Sequence, residues 1–293
     1  MIKKPHSIVA VTVTPFREGV RPDLEEIARQ TEELANSRAE VIFPNASTGE
    51  FPRMDKADKL AVMETVARQN KGRKAIFAGA ADAAEETVYE FVEAAKKLEC
   101  DGCVICPPYY YGLGQEDVLR FYENVCARAE GMPIYAYHVP FFTTGIEIPT
   151  FRKLMELPGL FGMKDSSANL KRISHLCDIA RRERPDFEVY TGTDDCLLPA
   201  LVAGCYGNMT ALAASMTDEI ADIYDAYRAG DLASAMKTQR AILPIIRQAD
   251  SLPFPLGYKV LAKATGLKTE EFADDRCESV YAAMEAMLKE LRA

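Results

Sequence analysis

The chain is dominated by a regular alternation of short apolar runs with amphipathic stretches. Eight runs have the length and β-branched content of buried strands: Ile8–Thr14, Val41–Pro44, Lys74–Ala78, Gly102–Cys106, Ile134–Tyr137, Leu160–Met163, Glu188–Thr191 and Gly207–Thr210. Each is followed by a stretch of helical period: Asp23–Asn36, Lys56–Asn70, Ala84–Leu98, Glu116–Ala129, Pro149–Leu157, Leu170–Arg182, Cys196–Ala203 and Thr217–Ala229. Helical crossovers connect parallel strands. Eight such units predict a (β/α)8 barrel.

The main alternative is a doubly wound sheet, which needs a glycine-rich loop after its first strand. Segment 14–19 reads Thr-Pro-Phe-Arg-Glu-Gly, which does not fit such a loop. The barrel is complete near Gly230, so we expect a catalytic barrel over residues 1–230 and a helical domain over 231–293. Three helical patterns make up this extension: Leu232–Ala249, Pro255–Thr265 and Asp274–Leu291. Their apolar faces must pack on the barrel or on another subunit.

Composition excludes several classes of protein. With 293 residues, 48% apolar and 27% charged, the chain is globular and long enough for a large core. A net charge of −9 argues against a nucleic-acid or anionic-membrane surface. Residues 7–14 follow Lys3 and Lys4 as a signal core would, but they are few, alternate and lack a cleavage site. We interpret them as the first strand of a cytoplasmic protein.

The cysteines and histidines do not predict a metal site. Eight cysteines without framework spacing are typical of reduced, mostly buried thiols. Cys100, Cys103 and Cys106 fall on a predicted strand, where residues three apart point to opposite faces. The three histidines are too scattered for a zinc set: His6, His138 and His175.

The most informative single residue is Lys164, which closes the apolar run Leu160–Met163. Burying an ammonium costs several kcal/mol unless it is paired or neutralised. The same desolvation favours the free amine, which is the nucleophile that forms a Schiff base with a carbonyl. The alternative is a lysine at the strand rim that reaches water or pairs with Asp165.

Catalytic groups of a barrel lie at the carboxyl ends of its strands. The ends of strands two, four, five, six and seven give these candidates: Ser47-Thr48-Gly49, Tyr109-Tyr110-Tyr111, Tyr137-His138, Lys164 and Gly192-Thr193-Asp194-Asp195. Hydroxyls beside a glycine can hold a carboxylate, although an ordinary turn has the same composition. Tyrosines beside a Schiff-base lysine can relay protons, although the triple tyrosine also suits an aromatic loop or subunit contact. Asp194 and Asp195 are expected to cap the next helix.

These residues carry a family resemblance. Ser47-Thr48-Gly49-Glu50, Pro108-Tyr109-Tyr110, Tyr137-x-Val139-Pro140 and Gly162-x-Lys164-Asp165-Ser166 resemble, in order and spacing, the motifs of the dihydrodipicolinate synthase / N-acetylneuraminate lyase family. The similarity covers essentially the whole chain. It implies a (β/α)8 barrel with a helical C-terminal domain, usually assembled as a homotetramer of tight dimers. The implied chemistry is that of class I pyruvate lyases and aldolases.

The resemblance also implies residue roles. Lys164 resembles the lysine that captures pyruvate or a 2-oxo acid, and Tyr137 the general acid/base. Ser47 and Thr48 resemble the carboxylate-binding pair, and either hydroxyl also belongs to the proton relay. Tyr110 resembles the tyrosine donated across a dimer interface. Gly49, Gly192, Asp194 and Thr210 complete the expected substrate-binding set. The imine is itself the electron sink, so neither a metal nor an organic cofactor is expected.

Departures from the family pattern bear on the substrate. Ala46 replaces a common glycine, and His138 replaces a common asparagine; His138 is either a catalytic base or, as we prefer, a structural imidazole. Phe142 lies near the position at which dihydrodipicolinate synthases place an arginine for the carboxylate of aspartate semialdehyde. Losing an arginine–carboxylate pair costs roughly 10- to 100-fold in binding. Phe141 and Phe142 indicate a neutral aldehyde partner or fill a subunit interface.

The sequence favours a 2-keto-3-deoxy sugar acid as substrate, with pyruvate and an aldehyde as products. Acidic residues at the end of strand seven suit sugar hydroxyls, but Ala211 stands where sialic acid lyases place a serine. Three alternatives stay open within the family: a dihydrodipicolinate synthase, an N-acetylneuraminate lyase and a 2-keto-3-deoxy acid dehydratase. A non-catalytic barrel protein is the alternative from a different class.

Overall fold

The computed structural model describes residues 7–17, 21–270, 272 and 274–293, so Lys3, Lys4, His6 and Gly19 lie outside the described residues. The strands of the described part are β1 (Ile8–Val11), β2 (Phe16–Arg17), β3 (Arg21–Pro22), β4 (Val41–Phe43), β5 (Ala75–Gly79), β6 (Gly102–Ile105), β7 (Ile134–His138), β8 (Leu160–Asp165), β9 (Glu188–Thr191) and β10 (Gly207–Thr210). Eight of them close into a barrel in the order β1-β10-β9-β8-β7-β6-β5-β4, while β2 and β3 form a separate antiparallel pair. The predicted (β/α)8 barrel is confirmed.

The helices alternate with the barrel strands and then continue as the predicted extension. They are α1 (Leu24–Asn36), α2 (Lys56–Asn70), α3 (Glu85–Lys97), α4 (Gln115–Ala129), α5 (Ile148–Met155), α6 (Leu170–Glu183), α7 (Leu197–Val202), α8 (Leu212–Ser215), α9 (Thr217–Arg228), α10 (Leu232–Asp250), α11 (Leu256–Ala264) and α12 (Arg276–Leu291). Side-chain oxygens cap the first turns of α1, α2, α6 and α10, because each accepts a backbone N–H that lacks a helical partner: Asp23, Asp55, Asn169 and Asp231. None of the described helices is both long and apolar enough to cross a membrane.

The described residues divide into two compact units. The first, here the central unit, comprises Ser7 and residues 75–209, with strands β5 to β9, most of β10, and helices α3 to α7. Its strands are buried along their length because helices cover them. Pairing is parallel, and after a register shift between Ile134 and Tyr135 it places Tyr137 opposite Lys164 and Lys164 opposite Tyr190. These three residues therefore lie at one level of neighbouring strands.

The second, here the terminal unit, comprises residues 8–74 and 210–293. Strands β1 and β4 pair in parallel, with Val9 opposite Val41. Helix α10 packs against α9 and α12, and α11 packs against α8, α10 and α12. Val13, Ala262 and Leu267 form a buried apolar cluster, which joins the segment after β1 to the helical extension. The domain boundary expected at Gly230 falls in the turn between α9 and α10 and stays a prediction.

Predicted and observed elements agree in type and differ mainly at their ends. Strand β8 continues through Asp165, one residue beyond Lys164, which closes the predicted apolar run Leu160–Met163. The β2–β3 pair and the four-residue α8 were not predicted, because two-residue strands and a single helical turn carry no measurable periodicity. The predicted capping role of Asp194 and Asp195 is wrong. Both lie inside a 3₁₀ turn, Asp194–Cys196, and no side chain caps α7 at Cys196.

Candidate active site

Lys164 lies near the carboxyl end of β8 and is 4% exposed. Asp165, its neighbour, is fully buried and points to the opposite face of the sheet, because side chains alternate along a strand. Asp165 binds the Arg172 guanidinium, with 2.8 Å between Oδ2 and Nε. Lys164 therefore does not pair with Asp165, which was the alternative left open by the sequence.

The amine of Lys164 faces the ring of Tyr137. Its Nζ lies 4.3 Å from the ring centroid, which is cation–π distance. Ser166 Oγ donates to the Tyr137 hydroxyl over 3.5 Å, a long hydrogen bond. A nucleophile, a phenol and a second hydroxyl thus form one group, in which a proton can move between oxygens next to the amine.

Gly192, at the end of β9, is required by close packing in this group. A Cβ at position 192 would lie 1.9 Å from Ser166 Oγ and 3.0 Å from Lys164 Cε. Any side chain there would displace the lysine or the serine. Gly192 was predicted to bind substrate; the structure adds that its lack of a side chain makes room for Lys164 and Ser166. Ser166 belonged to the motif, but no role was predicted for it.

His138 and Arg172 hold both backbone groups of Ile146. The Ile146 N–H donates to His138 Nδ1 over 2.8 Å, and Arg172 Nη2 donates to the Ile146 carbonyl over 2.6 Å. Burial lowers the pKa of His138 to about 4; nearby Asp165 opposes this shift and Arg172 adds to it. His138 is thus a neutral imidazole whose Nδ1 accepts a hydrogen bond. This is the structural role that we preferred for His138 from the sequence. His138 closes the loop that carries Phe141 and Phe142.

A buried carboxylate lies in the same unit and was not predicted. Glu188 Oε2 accepts the hydroxyls of Tyr135 and Tyr190, each over 2.9 Å. Burial, followed by the charge of Glu188, raises the pKa values of both tyrosines well above their ordinary range, so both stay protonated donors. The available sequence signal was a glutamate at the head of an apolar strand. Tyr190 is also the register partner of Lys164.

The predicted carboxylate-binding residues Ser47, Thr48 and Gly49 lie in the terminal unit, in the turn after β4. A Cβ on Gly49 would lie 3.0 Å from Thr14 Oγ1, so the backbone approaches closely here. Glu50 follows with a left-handed backbone, φ 55°, and its N–H donates to the Ser47 carbonyl over 3.0 Å. The predicted turn is thus tightly folded. Thr210, also predicted, ends β10 in this unit and is buried.

Tyr110 is 87% exposed, with a left-handed φ of 88°. Its ring packs edge-on against Tyr111, with centroids 4.9 Å apart. A bridge between Tyr109 and Thr143 joins this segment to the loop of the exposed Phe141 and Phe142. Tyr110 is thus exposed and does not belong to the Lys164 group of its own chain; its predicted donation across a dimer interface stays a prediction. Asp194 is buried in the 3₁₀ turn after β9.

No group of three or more histidine, cysteine or acidic side chains in the described part of the chain could hold a metal ion. Cys100, Cys103 and Cys106 are buried free thiols. Burial raises the pKa of Cys100 to about 12 and that of Cys103 further still, so neither supplies a thiolate near neutral pH.

The comparisons with known proteins now decide the family. A sequence profile of the Dihydrodipicolinate synthetase family matches residues 4–288. The chain belongs to this family. An uncharacterized DapA-like lyase of Thermofilum pendens is 31% identical over 272 residues, which cover 92% of this chain and 90% of that protein.

Solved structures with the same barrel include two aldolases. The 2-keto 3-deoxygluconate aldolase of Picrophilus torridus has a TM-score of 0.82 at 25% identity and covers 89% of this chain and 93% of its own. The sialic acid aldolase of Ruminococcus gnavus has a TM-score of 0.90 and covers 99% of each chain, but at 18% identity it shows the fold alone. As a member of the dihydrodipicolinate synthetase family, the protein is an enzyme, a carbon–carbon lyase of the class I aldolase type.

Proposed function

We propose that this enzyme cleaves or forms a 2-oxo acid through a Schiff base on Lys164, with pyruvate as one product. The observation that carries the proposal is the buried Lys164 amine against the Tyr137 ring, within a group that also contains Ser166. The ring face favours positive charge at Nζ by about 0.5 to 2 kcal/mol. The iminium carries that charge, so the ring stabilises the intermediate on which cleavage depends.

This geometry supports the following sequence of steps. The neutral amine of Lys164 attacks C2 of the 2-oxo acid, and Tyr137 supplies the proton with which the C2 oxygen leaves as water. Tyr137, now a phenolate, removes the proton of the C4 hydroxyl. The C3–C4 bond breaks, its electron pair moves to the iminium to give an enamine, and the aldehyde departs. Protonation at C3 and hydrolysis release pyruvate and restore Lys164.

The remaining predicted residues bind and orient the substrate. Ser47 and Thr48, with the backbone at Gly49, hold the carboxylate, and one of the hydroxyls extends the proton relay. Gly192, Asp194 and Thr210 contact the substrate beyond the reacting carbons. Tyr110 completes the relay of a partner subunit in a homotetramer built from tight dimers, which its 87% exposure makes sterically accessible. We place the enzyme in the cytoplasm.

For the substrate we propose a 2-keto-3-deoxy sugar acid. Phe142, 55% exposed, offers no positive charge for the carboxylate of aspartate semialdehyde. The likeness to a 2-keto 3-deoxygluconate aldolase at 25% identity points to the same substrate class. Ala211 lacks the hydroxyl that the family resemblance assigns to sialic acid lyases.

Incubation with 2-keto-3-deoxygluconate, followed by a lactate-dehydrogenase assay for pyruvate, tests this proposal. We expect pyruvate release by the wild type and none by Lys164→Ala. Consumption of pyruvate only with aspartate semialdehyde would instead identify a synthase. Loss of the sugar acid without pyruvate would identify a dehydratase.

A further inference from the structure

The helical extension reaches the carboxylate-binding turn through a buried ion pair. Lys259, on α11, is 2% exposed, and its Nζ lies 2.6 Å from Glu50 Oε1. Glu50 is the residue directly after Gly49 and is 9% exposed. Lys259 also binds the carboxylate of Glu270, and Arg53 Nη1 lies 2.5 Å from the other oxygen of Glu50. A buried lysine in the extension thus contacts two carboxylates, one of which belongs to the residue that follows the turn.

The backbone of the turn needs such an external hold. Glu50 has φ 55°, a conformation that costs free energy for any residue with a Cβ. Asn45, on the other side of the turn, has φ 58°. The predicted carboxylate-binding residues, 47 to 49, therefore lie between two left-handed residues, and surrounding contacts must select this conformation. The buried Lys259–Glu50 contact is of the kind that selects one backbone conformation from several.

Glu270, the second carboxylate that binds Lys259, is held in place as well. Glu270 Oε2 accepts the backbone N–H of Phe16 over 3.2 Å, and Lys259 Nζ lies 4.8 Å from the Phe16 ring centroid. The Lys259 side chain is thereby held by its two carboxylates and an aromatic face. An apolar side chain in place of Lys259 would avoid the free-energy cost of desolvating a charge. Stability of the fold alone therefore does not explain a lysine at this position.

We propose that Lys259 and Glu50 are positioning residues that hold the Ser47–Gly49 turn in its carboxylate-binding conformation, so that the helical extension sets affinity for the substrate carboxylate. This rests on the proposed function, in which that turn binds the carboxylate of pyruvate. Neither residue touches the reacting atoms. Their effect reaches the substrate through the backbone of residues 47 to 49.

The test compares two carbonyl compounds that both form an imine with Lys164. Pyruvate has a carboxylate and acetaldehyde has none, so only pyruvate uses the turn. Borohydride trapping is measured against the concentration of each compound, with the adduct on the Lys164 peptide quantified by mass spectrometry. In Glu50→Gln we expect the half-saturating pyruvate concentration to rise about tenfold or more, while trapping by acetaldehyde stays within about twofold of the wild type.

A matched control is available in the same unit. Glu219, also 9% exposed, pairs with Arg292 over 2.8 Å between Oε1 and Nε, and joins α9 to the end of α12. Glu219→Gln removes a comparable carboxylate and should leave trapping by both compounds unchanged. If Glu50→Gln does not fold, Glu270→Gln takes its place. It releases one of the two carboxylates that hold Lys259 and should shift pyruvate saturation in the same direction by less.

Two outcomes would overturn the proposal: equal losses of trapping with both compounds in Glu50→Gln, or unchanged pyruvate saturation in a folded Glu50→Gln protein. The first would show a general structural role, and the second would show that the turn holds its conformation unaided. Failure of the proposed function would look different. Wild-type enzyme would then form no adduct with either compound on Lys164, before any variant is compared.

Discussion

The buried imidazole of His138 is expected to lower the stability of the folded protein at acid pH. In the folded protein, burial lowers its pKa from 6.5 to about 4. Between pH 6.5 and pH 4, His138 is mostly protonated in the unfolded chain and mostly neutral in the folded protein. The stabilisation is therefore complete above pH 6.5 and is lost as the pH falls toward 4. Protonation at Nδ1 would also remove the acceptor of the Ile146 N–H.

The size of the effect follows from linkage. One pKa unit corresponds to about 1.4 kcal/mol, so the shift of His138 costs the folded state on the order of 2 to 3 kcal/mol between pH 7.5 and pH 4.5. His138→Asn provides the comparison, because an asparagine oxygen can still accept the Ile146 N–H and does not titrate. Carboxylates also contribute to acid unfolding, but they are common to both proteins and cancel in the difference.

Urea unfolding followed by circular dichroism at the two pH values measures this difference. We expect the free energy of unfolding of the wild type to fall on the order of 2 to 3 kcal/mol further than that of His138→Asn. Equal losses of unfolding free energy in the two proteins would show that His138 does not cause the acid destabilisation. They would mean that His138 is protonated as easily in the folded protein as in the unfolded chain.

Four further variants test the Lys164 group and the buried carboxylate of Glu188. Gly192→Ala should lower kcat about 100-fold in steady-state assays, because the added methyl displaces Lys164 or Ser166. Tyr137→Phe keeps the ring but loses the hydroxyl, so stopped-flow should show imine formation slowed by about 10²- to 10⁴-fold with near-normal thermal stability. Glu188→Leu should lower the free energy of unfolding by about 2 to 5 kcal/mol, because two buried tyrosine hydroxyls lose their acceptor. Glu188→Gln should lower it less. Equal melting temperatures of Glu188→Leu and the wild type would contradict this expectation.

The fold was predictable because one sequence pattern, an apolar run followed by a stretch of helical period, repeats along the chain. Strands such as Glu188–Thr191 and Gly207–Thr210 were predicted at their observed bounds, since apolar runs and helical period alternate throughout. The β2–β3 pair has two residues per strand and produces no pattern. Asp194 resembled a helix cap, but the chain forms a 3₁₀ turn there, and turn type is set by tertiary contacts.

The candidate site was predictable where a polar residue ends an apolar strand, as at Lys164 and Tyr137. It was not predictable where function depends on which residues meet. Glu188 and its partner Tyr135 are 53 positions apart in the chain, and nothing local links Glu50 to Lys259. Residues that position others act through such contacts, so they emerge only once the chain is folded.

The proposed mechanism begins with a Schiff base on Lys164. Borohydride reduction of the enzyme in the presence of pyruvate, followed by peptide mass spectrometry, detects this adduct. We expect a reduced pyruvyl adduct on Lys164 and none in Lys164→Arg. A folded protein with unmodified Lys164, or with the adduct on another lysine, would contradict the proposed mechanism.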